Sequence, residues 1–277
     1  MTKLLSISND AKTVKGEKHG FLTAIMYLAP YKAAGYLVCP AAELAGCWQT
    51  CLNTAGRGGM AKGTFNPHGI ELPDNSVQRA RIWRTRLWME NRDIFYDMLY
   101  GELFAFIARA KLRGLTPVVR LNGTSDIQWE REVYNESTVF STFPEITFYD
   151  YSKLPGRLSR PLPSNYHLTL SYSEASPLYA KQCLKAHEHG ASLAVVVRDD
   201  KLKARWLEQG AVDFDEHDLR FLDPPGTIGV LKAKGSARHE TNGFVITEEI
   251  TKKWQKSAFS HFHSATSHRH LQMASNS

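Results

Sequence analysis

The chain has 277 residues, of which 43% are hydrophobic and 22% charged. That composition excludes a disordered chain and suits one large globular domain, or two small ones, with a substantial core. Lysine and arginine number 34 against 28 acidic residues, a net charge of +6 that permits contact with nucleic acid or a phosphorylated ligand without demanding it.

The first twenty residues read as an irregular arm. They carry four lysines and no apolar h-region, so no signal peptide is expected. Phe21 to Leu28 reads as a strand closed by Pro30. It is the start of the most apolar stretch, which is half the length a membrane-spanning helix needs, and the expected location is a reducing cytoplasm. Tyr36 to Gly69 follows as a long connection, and a loop of this length in a compact domain is usually functional or disordered. It holds Cys39, Cys47 and Cys51 and the glycine-rich run from Ala55 to Gly59.

Asp74, Asn75 and Ser76 are candidate caps for a helix carrying Arg79, Arg81, Arg84 and Arg86, interleaved with Trp83 and Trp88. Asp93 is a candidate cap for a second helix, with Phe95, Met98, Leu99, Leu103, Phe106 and Ile107 at helical spacing and Gly114 as its stop. Strands are expected at 116–123, 146–153, 167–173, 192–199 and 227–234, and a helix at 179–189 ended by Gly190. Six strands, several β-branched and apolar along most of their length and separated by helices, predict an α/β fold. The expectation is a partial (β/α) barrel of about six mostly parallel strands, with the long cysteine-bearing loop after the first. Residues 1–256 form one domain in this reading, and 257–277 a disordered polar tail with His261, His263, His268 and His270.

Three clustered cysteines leave one over in any disulfide scheme, and in a reducing compartment they point to metal or redox chemistry. Structural zinc takes four protein ligands, and the candidates for a fourth (Cys183, His68, Glu43) sit at no familiar zinc spacing. Three thiolates alone suit a [4Fe–4S] cluster with one iron open. The alternative is three small buried residues with no metal; Cys183, on a helical pattern, reads as core.

In parallel α/β folds, ligands gather at the carboxyl ends of the strands. Asn122, Gly123, Thr124, Ser125 and Asp126 lie at such an end and are candidates for cofactor binding; a turn with an N-cap is the competing reading. Asp150, Lys153 and Ser171 end the next two strands and are candidates for substrate contact, while Lys232 and Lys234 mark the last. The four arginines with their tryptophans define a second reading, a metal-braced nucleic-acid-binding protein. A third is a metal-free hydrolase or transferase using Asp126 and Asp150.

Several motifs occur in fixed order: the cysteine loop with Gly56-Arg57, Val77 to Arg81 with Arg84-Thr85, Arg120 to Ile127, Phe148 to Lys153, Asn165 to Ser171, and Arg220 to Pro224. Together they resemble the bacteriophage gene product 88 family over about Leu4 to Val245. That resemblance implies a phage-encoded protein in the host bacterial cytoplasm, acting in the nucleic-acid reading during replication or host takeover. A more distant resemblance is to radical S-adenosylmethionine enzymes, in which three cysteines after the first strand hold a [4Fe–4S] cluster and the open iron chelates the cofactor. Here seven and then three residues separate the cysteines, where those enzymes have three and then two.

Overall fold

The computed structural model describes residues 2–7, 11–54 and 75–248. Asp74, His68, the glycine-rich run and the polar tail with its histidines lie outside them.

The elements in chain order are β1 (Leu5–Ile7), α1 (Ala11–Glu17), β2 (Phe21–Met26), α2 (Ser76–Glu90), α3 (Arg92–Leu112), β3 (Thr116–Arg120), α4 (Val139–Thr142), β4 (Thr147–Ser152), β5 (Tyr166–Ser171), α5 (Pro177–Glu188), β6 (Leu193–Val197), α6 (Asp200–Glu208), β7 (Val212–Asp213) and β8 (Ile228–Lys232). Asn75 is the cap in use for α2: its side chain accepts the Val77 N–H at 2.9 Å. The second helix begins at Arg92 rather than after Asp93, which sits in its first turn. Gly114 ends it with φ of +63°, a conformation only glycine adopts without strain.

All six expected strands form, each within a few residues of its predicted bounds. The expected count is corrected to eight, and the arm contains a strand and a helix. The two additional strands are three and two residues long, too short to carry a hydrophobic period. The sheet runs β1-β2-β3-β4-β5-β6-β8-β7. Only β1 pairs antiparallel. The sheet is open, with β1 and β7 as its edges, so a barrel is not formed by its hydrogen bonds.

Strands β2 to β6 lie side by side in chain order. Right-handed crossovers that always step the same way place their helices on one face. That face carries Leu22, Ala24, Met26, Val119 and Phe148 against Phe95, Leu99, Leu103 and Phe106 of α3. Farther along, Leu170, Leu193, Val195 and Val230 pack on Tyr179 and Cys183 of α5 and Trp206 of α6. The opposite face holds Val118 and Tyr149, covered by Leu219 and Phe221. An ion pair of 2.6 Å from Arg120 to Asp218 fastens this covering segment to β3. Helices thus cover one face of the sheet, and the segment with Leu219 and Phe221 covers part of the other.

Candidate functional site at the carboxyl end of the sheet

The cysteine loop leaves β2 and is tied to the sheet at both ends. Tyr31 takes φ of +52°, an unusual conformation for a tyrosine. Its N–H donates to Cys39 Sγ at 3.4 Å, while its carbonyl accepts the Val38 N–H at 3.1 Å. Cys39 Sγ donates to the Thr124 carbonyl, and the Asp126 N–H donates to the Val38 carbonyl at 2.8 Å. The first cysteine is thereby fastened to the turn after β3.

Cys47 follows Gly46, where the loop passes under a returning segment. Asn242 Nδ2 donates to the Gly46 carbonyl at 2.8 Å, and Ser173 Oγ donates to the Ala45 carbonyl at 2.8 Å. Cys51 Sγ accepts the Asn53 N–H at 3.5 Å. Asn53 is in turn held by Gln78 and by Arg81, whose guanidinium donates to its backbone and side-chain oxygens.

None of the three thiols is in a disulfide; they are partly buried and within electrostatic range of one another. Burial pushes the Cys39 thiol well above its ordinary value, and the neighbouring Cys51, Asp126 and Cys47 push it further. Burial raises Cys47 too, opposed by the Lys153 ammonium. Cys51 rises to about 11, again through burial, with the Asn53 N–H, Arg81 and Lys153 among the groups that oppose the shift. Among the described residues, no group of three or more His, Cys, Asp or Glu side chains is arranged to hold a metal ion. Cys183 is fully buried in the core beside Tyr179, as its helical pattern predicts, and Glu43 is exposed and pairs with Lys32.

The turn after β3 binds itself. Asn122 Oδ1 accepts from Ser125 Oγ, the Ile127 N–H and Trp129 Nε1, and Asn122 Nδ2 donates to the Ile127 carbonyl and to Asp150. Thr124 Oγ1 donates to the Leu28 carbonyl at 2.5 Å. A Cβ at Gly123 would stand 2.7 Å from the Met26 carbonyl oxygen, so the turn presses directly on the end of β2. Asp126 accepts from Ser152 Oγ, the Lys153 N–H and Arg157. Burial raises its carboxyl, with Arg157 the strongest opposing influence. Burial also raises Asp150, to about 6, against the pull of Arg120. These side chains form the wall of the site.

Of the predicted substrate-contact residues, Lys153 and Ser171 meet each other directly. Lys153 Nζ donates to Ser171 Oγ at 2.6 Å and to the Ser171 carbonyl at 3.2 Å, and it stands 4.6 Å from the Phe244 ring centre. Lys232 and Lys234 instead pair with Asp200 and Asp215.

The arginines of α2 brace the loops. Arg81 is buried on the Tyr27 ring, Arg84 donates to the carbonyls of Lys3 and Tyr27, and Arg86 donates to that of Ala34. Arg79 is exposed. Sequence reasoning missed Arg157, which joins Asp126 to Glu130 and to the Tyr166 hydroxyl. It also missed Thr50 and Asn53; their single signal was position beside Cys51.

The molecule is an α/β protein whose singly wound, mostly parallel sheet carries a three-cysteine loop at its carboxyl end. The gene product 88 family model matches residues 3–248, and the chain belongs to that phage family. No curated protein and no solved structure matches it. No helix among the described residues is long and apolar enough to cross a membrane.

Proposed function

We propose that the protein is an iron–sulfur protein in which Cys39, Cys47 and Cys51 ligate a [4Fe–4S] cluster, and that it acts on a substrate in the manner of radical S-adenosylmethionine enzymes. The observation that supports this reading is that three cysteines of one loop, none in a disulfide, lie at the carboxyl end of a mostly parallel sheet near enough to raise one another's thiols, although the described side chains are not arranged as a metal site. Burial and mutual repulsion disfavour three thiolates there; a bound metal reverses that balance by displacing the protons.

The surroundings fit such a group in chemistry. Tyr31 and Asn53 aim N–H groups at two of the sulfurs, and hydrogen bonds to sulfur tune cluster potentials. Arg81 and Lys153 supply positive charge. Among the described residues, Arg81 Nε and Thr50 Oγ1 are buried with no hydrogen-bond partner, two polar atoms near Cys51. When bound, the cluster would supply an electron and an open iron able to chelate S-adenosylmethionine. The protein's own part is positional. The turn from Asn122 to Asp126 holds Cys39 in place. In this reading Lys153 and Ser171, beside the Phe244 ring, contact the ligand.

Anaerobic purification followed by iron, sulfide and zinc analysis tests this. About four irons and four sulfides per chain are expected, lost when the three cysteines are replaced by alanine. Addition of S-adenosylmethionine is expected to change the electron paramagnetic resonance spectrum of the reduced protein and to yield its cleavage products. Zinc without sulfide, or no metal at all, defeats the proposal.

A further inference from the structure

Lys153 occupies an unusual position among the lysines at this end of the sheet. Lys203, Lys232 and Lys234 each meet an aspartate, at 2.7, 2.5 and 2.8 Å. Lys153 is half-buried, yet among the described residues it forms no ion pair; the oxygens its nitrogen meets both belong to Ser171.

Donor counting sharpens this. An ammonium has three N–H donors and no acceptor. Two are directed at Ser171, and the Phe244 ring covers one side of the charge. Because lysine can only donate, Ser171 Oγ is the acceptor in the 2.6 Å contact, so its own hydroxyl proton points elsewhere. No acceptor for that proton exists among the described residues. The Ser171 carbonyl is saturated by Lys153 and by the Tyr179 hydroxyl at 2.7 Å, which anchors the pair to α5. Among the described residues, one N–H and one O–H thus remain uncommitted on adjacent atoms, beside a positive charge that forms no ion pair, though the Asp126 carboxylate feels it.

The location is specific. Tyr149, against Leu219 and Phe221, and Tyr151, whose hydroxyl donates to Asp218, lie on the face opposite the helices. Side chains alternate along a strand, which puts Lys153 on that same face at the strand's end. The Lys153 charge is felt by both Cys47 and Cys51.

We infer that Lys153 and Ser171 form an oxyanion-binding subsite, and that the ligand acted on at the cysteine loop carries a carboxylate or phosphate group held there. The inference names the substrate class for the function proposed above and rests on that reading for its catalytic meaning. The binding itself needs no metal.

The test is isothermal titration of the full chain with inorganic phosphate and, separately, with acetate, at fixed ionic strength and with iron and sulfide counted on the same sample. Saturable binding of at least one anion is expected, and the anion that binds more tightly identifies the source. Lys153→Gln should weaken it about tenfold or more, the loss of one charge-assisted hydrogen bond. Ser171→Ala should weaken it less, and Lys153→Arg should restore most of it. Circular dichroism of each variant separates misfolding from lost binding, and Ser171→Ala, which keeps the charge, remains informative if Lys153→Gln does not fold. Absence of saturable binding by either anion, or equal binding by all variants, overturns the subsite. A sample without iron that still binds through Lys153 leaves the subsite standing and defeats the cluster.

Discussion

The carboxylate of Asp126 accepts the backbone N–H of Lys153 at 2.7 Å. The turn after β3 therefore sets the position of the residue that follows β4. The same turn receives Cys39 through the Thr124 carbonyl and holds the Val38 carbonyl through the Asp126 N–H. Asp126 joins the cysteine loop to the Lys153–Ser171 pair, and it does so as a positioning group: its two oxygens are occupied by Ser152, Lys153 and Arg157.

Arg157 is the cation that makes this arrangement affordable. Its side chain is 1% exposed and meets Asp126 at 3.0 Å and Glu130 at 2.6 Å, while also donating to the Tyr166 hydroxyl. Replacing it by methionine keeps most of the volume and leaves two carboxylates in a nearly dry site. The expected loss is about 3–5 kcal/mol, the cost of breaking a buried pair from one side. Urea denaturation of Arg157→Met measures it; a loss below about 1 kcal/mol would show that the carboxylates protonate or find other partners at little cost.

Asp150 gives the fold a pH dependence with a definite sign. It is buried between the Asn122 backbone N–H, Asn122 Nδ2 and the Tyr166 hydroxyl, with the charges of Arg120 and Arg157 acting on it. Desolvation outweighs these and raises the carboxyl to about 6, above the ordinary aspartate value near 4. The folded state then binds this proton more tightly than the unfolded one. The contribution is fully present below about pH 4 and is lost as pH rises through about 6. Subtracting the stability curve of Asp150→Asn from that of the wild type removes the other carboxylates. The difference should fall by about 1–3 kcal/mol across that window; a flat difference would mean that the hydrogen bonds and arginines fully offset burial.

The sequence was informative wherever one period governed a segment. The six principal strands and the apolar stripe of α3 each bury a repeating set, and each is legible. β1 and β7 are too short to show a period, and β8 inserts between β6 and β7 through long-range pairing that no local pattern encodes. At the site, residue type gave chemistry without direction. Asn122 to Asp126 have the composition of a ligand-binding turn, yet the structure turns their side chains onto one another and onto Asp150. The arginines of α2 suggest a solvated basic face, yet three of them cap loop carbonyls. Lys153, just after β4, and Ser171, at the end of β5, are eighteen residues apart and meet because β4 and β5 pair in register with Ser152 opposite Leu170.

Gly46 is where the cysteine loop depends most directly on a missing side chain. Its φ is +67°, and a Cβ there would stand 2.6 Å from Asn242 Oδ1 and 2.7 Å from the Ala175 Cβ. Gly190 supplies a control. Its φ is +96° with nothing within 4 Å, so Gly190→Ala carries the backbone penalty alone. Gly46→Ala carries that penalty plus a collision with two elements that clamp the loop through the Asn242–Gly46 and Ser173–Ala45 hydrogen bonds. Thermal unfolding should place Gly46→Ala at least about 1 kcal/mol below Gly190→Ala. If the cluster proposed above is bound, the Gly46 variant should also lose its iron while the Gly190 variant keeps it, because Cys47 is the next residue. Equal stabilities would show that the returning segment moves aside freely. Iron retained at full occupancy in a destabilised Gly46→Ala would show that the clamp serves the fold and not the position of Cys47.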